Sequence, residues 1–182
     1  MAAIQTPEDI ISLLYDMERR SKQKAAGLGQ QNTAGDSWTA IGFRIGQQHF
    51  VTPLSQTREV FPVPEQITPV PKSQRWVFGI VNLRGELLPV FDLKLFLHDK
   101  PVKLTKRSRI IVINDSDIVS GVTVDEVFGL KHFQQQPETA SPEHSAETAA
   151  YVSGTVYQQE IEWQVFNFSH LVSDPRFLNA AA

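Results

Sequence analysis

Two apolar runs, Val77–Leu83 and Leu87–Leu93, are separated by only Arg84, Gly85 and Glu86. Runs of strand length joined by so short a link predict an antiparallel hairpin. Gly85 supplies the positive φ that a tight turn demands, and Pro89, which lacks an amide donor, belongs at a sheet edge or a bulge. The hairpin is one of a series: Ile41, Phe43 and Ile45 repeat with period two, and Ile110–Ile113 and Ile118–Leu130 are further apolar runs. Near the end Ile161, Trp163 and Val165 alternate with Glu160, Glu162 and Gln164, one face inward and one face wet. Many short strands with turn signals, and no regular alternation with long helices, predict a mainly β barrel or sandwich rather than a parallel α/β sheet.

Helix is expected chiefly at the N-terminus. Thr6, Pro7 and Asp9 form a capping signal, and Ile10, Leu13, Leu14 and Met17 then recur at helical spacing, which predicts an amphipathic helix from Pro7 to Ala26. Its apolar stripe either packs on its own domain or docks on a partner in helix-in-groove fashion. Residues 27–37 are small and polar and are expected to act as a flexible linker. The organisation expected is therefore helix and linker over 1–37, the main domain over 38–172, and a tail over 173–182. A short helical turn capped by Asp92 and a long loop from Gln134 to Ala150 complete the expectation.

Composition removes several function classes. The chain has 182 residues, 41% of them hydrophobic, so a sizeable core is available without a metal or disulfide. Its 17 basic and 20 acidic side chains give a formal charge of -3, which argues against a general nucleic-acid binder. With no cysteine, thiol catalysis, disulfide scaffolds and cysteine-based metal sites are excluded. No secretory signal pattern or membrane-length apolar run is evident, so a soluble cytoplasmic protein without direct membrane insertion is expected. The histidines (His49, His98, His132, His144, His170) form no ligand-spaced pair, and no nucleophile elbow, phosphate loop or dinucleotide fingerprint is present. Asp115 and Asp117 suit a turn between strands better than a calcium loop. The basic run Lys100, Lys103, Lys106, Arg107 and Arg109 reads as a solvated connection rather than a phosphate site. No catalytic, metal-binding or cofactor-binding residue is assigned, and no cofactor is expected.

The segment Trp76–Leu93, with Asn82-Leu83-Arg84-Gly85 between its apolar strands and Asp92-Leu93 at its end, closely resembles the signature of CheW-like domains, the coupling modules of bacterial chemosensory arrays. Phe43-Arg44-Ile45-Gly46, Arg58-Glu59-Val60, Gly121–Val127, Tyr151–Gly154 and Trp163–Phe168 follow in the family's order, so the resemblance covers Trp38–Val172. It implies a fold of two interlocked five-stranded β-barrels with an apolar groove between them. It also implies a non-catalytic adaptor that couples chemoreceptor cytoplasmic tips to the regulatory domain of a CheA-type histidine kinase, recruited to membrane-associated arrays. The N-terminal helix and the tail resemble the branch serving type IV pili and twitching motility. Residues 47–53 depart from the flagellar pattern at Thr52 and Pro53, and a flagellar coupler is the alternative. From another class, a small β-barrel nucleic-acid module would instead present aromatics and cations on one face.

By the same resemblance, Glu59, Asn82, Arg84, Gly85, Gly121, Val124 and Val127 are the partner-binding candidates. Glu59 and Arg84 lie near the partner-facing surface and can pair; a plain turn beside a solvated carboxylate is the alternative. Gly121, Val124 and Val127 fall on strands used at the groove and lobe interfaces; for Val124 and Val127 core packing serves at least equally well.

Overall fold

The computed structural model describes residues 37–115, 118–138 and 147–180. The helix expected from Pro7 to Ala26 and the linker at 27–36 lie outside the described residues. Within these limits the chain is mainly β. The strands are β1 (Trp38–Ile45), β2 (Gln48–Pro53), β3 (Thr57–Pro62), β4 (Val77–Leu83), β5 (Glu86–Asp92), β6 (Arg109–Asp115), β7 (Ile118–Val124), β8 (Glu126–Phe133), β9 (Val152–Gln158) and β10 (Ile161–Phe166). Three short helices, α1 (Leu93–His98), α2 (Phe168–Val172) and α3 (Pro175–Leu178), follow β5 and β10.

The strands form two five-stranded sheets, ordered β8-β1-β2-β10-β9 and β3-β6-β7-β5-β4. The chain lays down two strands of the first lobe, completes the second lobe with β3 to β7, and returns to the first, which is how the lobes interlock. Among the described residues no ladder joins the edge strands β8 and β9, or β3 and β4. Side chains bridge those seams: in the first lobe Gln158 Nε2 donates to the His132 carbonyl at 3.1 Å.

The continuous run Ile110–Ile113 has a direct cause. All four residues are fully buried because both faces of β6 are covered. Ile110 and Val112 join Val81, Leu88 and Val90 inside the second lobe. Ile111 and Ile113 face the other way, into a core shared with Phe43, Phe50, Phe166 and Phe168. The first lobe has its own interior around Ala40, Val51, Val156, Trp163 and Val165. Burying each such side chain stabilises the fold by about 1.5–3 kcal/mol, so two lobe interiors and one shared core hold the lobes together.

Local signals explain several details. The Asp92 carboxylate accepts from Leu95 N–H at 3.0 Å, capping α1, and from Val102 N–H at 2.9 Å, pinning the loop that follows. Burial raises the pKa of Asp92, and these backbone donors oppose the rise. Pro89 is tolerated because β5 pairs with β7 only from Val90 to Asp92, so at Pro89 the strand has just one neighbour.

The structure revises three expectations. The run Ile118–Leu130 is two strands in different sheets, divided at Asp125, whose carboxylate accepts from Gly46 N–H at 2.5 Å and meets Lys94 Nζ at 3.4 Å. Strands β2, β3 and β9 extend the set that apolar runs and alternation mark. Residues 173–180, set apart in the sequence as a tail, pack into the shared core through Phe177.

Candidate functional site

The β4–β5 hairpin turns through Arg84 and Gly85, with Leu83 opposite Glu86. Both turn residues have positive φ, 54° and 91°. Such a two-residue turn matches the twist of the flanking strands, and glycine meets the requirement without strain. Arg84 meets it at a cost of about 1–3 kcal/mol. The Asn82 side chain supports the turn by accepting from Gly85 N–H at 2.8 Å. Within the Asn-Leu-Arg-Gly motif, Asn82 and Gly85 therefore shape the turn and Arg84 is what the turn displays.

The Arg84 side chain is 82% exposed, and its Nη1 lies 3.4 Å from Oε2 of Glu59 on β3, a carboxylate only 21% exposed. The ion pair reaches across the open seam between the edge strands of the second lobe. A second pair lies beside it: Arg58 donates to both carboxylate oxygens of Glu86 at 3.1 and 2.8 Å. That hydrogen bonding holds the Glu86 carboxyl below its ordinary pKa and the Arg58 guanidinium above its own. A register shift between Thr57 and Glu59 inserts Arg58 as a bulge residue, a device that re-aims side chains at an edge. Leu87, opposite Asn82 and 70% exposed, adds apolar surface next to the charged tip.

Glu59, Asn82, Arg84 and Gly85 thus converge on one exposed corner. The other three candidates do not. Gly121 is buried inside the second lobe, where a Cβ would come within 2.7 Å of Ile110 Cγ2, and Val124 is 1% exposed. Val127 packs against the shared core. Gly121 therefore packs inside the second lobe, while Val124 and the partly buried Val127 belong to the shared core.

Arg58 and Glu86 were not singled out from sequence, although their place beside Glu59 and Arg84 in the two motifs was the available signal. Asp125 was missed too; an acid between two apolar runs marks the crossing point where it ties β1, α1 and β8. Elsewhere the basic loop is held by its own turn, with Arg109 Nη1 donating to the Lys106 and Ser108 carbonyls. Among the described residues no group of three or more His, Asp or Glu side chains is placed to hold a metal ion, and no helix is long and apolar enough to cross a membrane.

The model of the CheW-like domain matches residues 39–176. The chain belongs to the CheW-like domain family. This CheW-like chain is 37% identical to PilI of Pseudomonas aeruginosa over 182 residues, covering 100% of this chain and 99% of that protein. It is 30% identical to the chemotaxis protein CheW of Helicobacter pylori over 133 residues, 70% of this chain and 79% of the relative. It is also 30% identical to FrzA of Myxococcus xanthus over 138 residues, 74% and 84% of the two chains. The crystal structure of the scaffolding protein TtCheW from Thermoanaerobacter tengcongensis superposes with a TM-score of 0.63 at 23% identity, covering 72% of this chain and 90% of that one. That likeness concerns the fold.

Proposed function

We propose that this CheW-like chain is a non-catalytic adaptor that couples the cytoplasmic tips of chemoreceptors to the regulatory domain of a CheA-type histidine kinase, in the control of type IV pili and twitching motility. The observation that carries this reading is the corner built by Asn82, Gly85, Arg84 and Glu59, which holds a guanidinium outward on a strained turn while chaining it to a half-buried acid. An exposed pair of this kind contributes only about 0–1 kcal/mol to folding, so its strain and placement suit recognition better than stability. Leu87 gives the same corner an apolar contact, and a mixed apolar and ionic patch is the composition of a protein-binding surface. Full-length likeness to PilI supports the pilus pathway over the flagellar one. The adaptor acts in the cytoplasm and reaches the membrane-associated array through its receptor.

Calorimetric titration of the chain with the purified regulatory domain of the kinase tests the proposal. Wild-type chain is expected to bind, and Arg84→Glu to bind at least roughly tenfold more weakly with an unchanged melting temperature. Absence of wild-type binding, or equal affinity of the two, would overturn it.

A further inference from the structure

The hairpin tip extends beyond its last backbone support. On its outer side β4 is bridged by the exchange of hydrogen bonds between Thr68 and Ile80, at 2.9 and 2.8 Å. From there to Leu83, and around the turn, no ladder restrains that edge among the described residues. What spans the gap to β3 is the two ion pairs. They differ in geometry: Arg84–Glu59 is a single 3.4 Å contact from a largely exposed arginine, whereas Arg58–Glu86 is bidentate, with both side chains less than half exposed. A fork-to-carboxylate pair fixes orientation as well as distance, which a single contact does not.

We infer that Arg58 and Glu86 are positioning residues for Arg84: their bidentate pair clamps the hairpin tip over β3 and fixes the direction in which Arg84 is presented. The clamp also decides which acid Arg84 meets. Glu86 sits two residues from Arg84 and would compete with Glu59 for its guanidinium; engaged on both oxygens by Arg58, it is withdrawn from that competition. Arg84 is left with Glu59. This inference rests on the proposed role of Arg84 in kinase binding, and its structural half stands without it.

The test uses the full chain, with two readouts. The Arg84 Nε–Hε resonance and its nuclear Overhauser contact to Glu59 report positioning in the free protein; titration with the kinase regulatory domain reports the consequence. In Arg58→Gln, which frees Glu86 to compete for Arg84, the contact to Glu59 is expected to disappear and affinity to fall roughly tenfold, with an unchanged melting temperature. The charge swap Arg58→Glu with Glu86→Arg is expected to restore both. An Arg58→Gln chain whose Arg84 signals match the wild type overturns the inference. So does a swap that restores those signals but leaves binding weak, because Arg58 and Glu86 would then touch the partner themselves. If the wild-type chain binds no regulatory domain, the adaptor reading fails, while the resonances still decide whether the clamp positions Arg84.

Discussion

Phe177 of α3 stacks on Trp76, ring centroids 5.5 Å apart and planes 12° from parallel. Phe91 and Phe96 close the cage edge-on at 4.7 and 5.4 Å, and Gln74 N–H donates to the Ala180 carbonyl at 2.9 Å. The C-terminal segment is therefore part of the fold. Phe177→Ala is expected to lower unfolding stability by about 3–5 kcal/mol in urea titrations. A variant as stable as the wild type would show that the cage does not depend on it.

Beside that cage the Tyr151 hydroxyl donates to Asp174 and accepts from Arg176 Nη2 at 2.7 Å. Burial, then the Asp174 hydrogen bond, pushes the Tyr151 pKa up to about 12. A raised phenol contributes stability that is complete below its ordinary pKa near 10 and is lost as pH climbs through 12. Phenolate absorbance should show a late-titrating group that Tyr151→Phe removes. Tyr157 is also raised, by the Glu162 charge beside it, so the variant is what identifies the signal.

Asp174 itself is held down at about 2, first by its hydrogen bonds to Arg176. A depressed carboxyl contributes stability that is present above its ordinary value and lost as pH falls toward 2. Between pH 4 and 2 the wild type should lose stability more steeply than Asp174→Asn; parallel curves would contradict this.

Gly121 faces Ile110 Cγ2, Val90 Cγ2 and Leu88 Cδ2 at 2.7, 3.2 and 3.3 Å from an added Cβ. Gly121→Ala is expected to cost about 1–3 kcal/mol by overpacking. Gly121→Gln adds a buried amide and should unfold the domain, seen as loss of the far-ultraviolet β signal. A folded Gly121→Gln chain would contradict the tight packing around this residue.

His49 packs between Phe128 and Trp163, at 5.5 and 5.2 Å between ring centroids. Burial lowers its pKa, Arg44 and Lys131 add to the fall, and Glu126 opposes it. Below about pH 6.5 the unfolded chain takes up a proton that the folded one resists, so stability drops as pH falls. Replacing His49 by Phe should flatten the stability profile between pH 7 and 5 relative to wild type; an identical slope would exclude the histidine as its source.

Sequence patterning revealed strands wherever burial left a periodic trace. Trp163 and Val165 are buried between polar neighbours, and Ile110–Ile113 form an unbroken run because two cores claim one strand. It failed where buried residues are not apolar. In β2 the buried residues Phe50, Val51 and Thr52 are consecutive rather than alternating, and Thr52, whose hydroxyl can bond Gln56 at 3.4 Å, cuts the apolar run short. In β9, Gly154 is small because a Cβ would strike the Glu138 carbonyl at 2.5 Å. Phe177, with only the exposed Leu178 as an apolar neighbour, gave no period to read. At the hairpin corner the motif disclosed Asn82, Arg84 and Gly85, but the Arg58–Glu86 clamp depends on two segments meeting across a seam that no local pattern encodes.

The route of the chain between lobes has a consequence for its synthesis. Strands β3 to β7 are consecutive, so the second lobe has all its strands once Val124 has been made. The first lobe does not: β2 waits for β10, and Phe43 and Phe50 wait for Phe166, their edge-on neighbour at 6.1 and 5.7 Å. Until then the growing chain carries a finished lobe beside a half-built one whose β2 edge can pair with another chain. Nonsense truncations within β9 or β10 should therefore yield aggregates rather than weakened monomers.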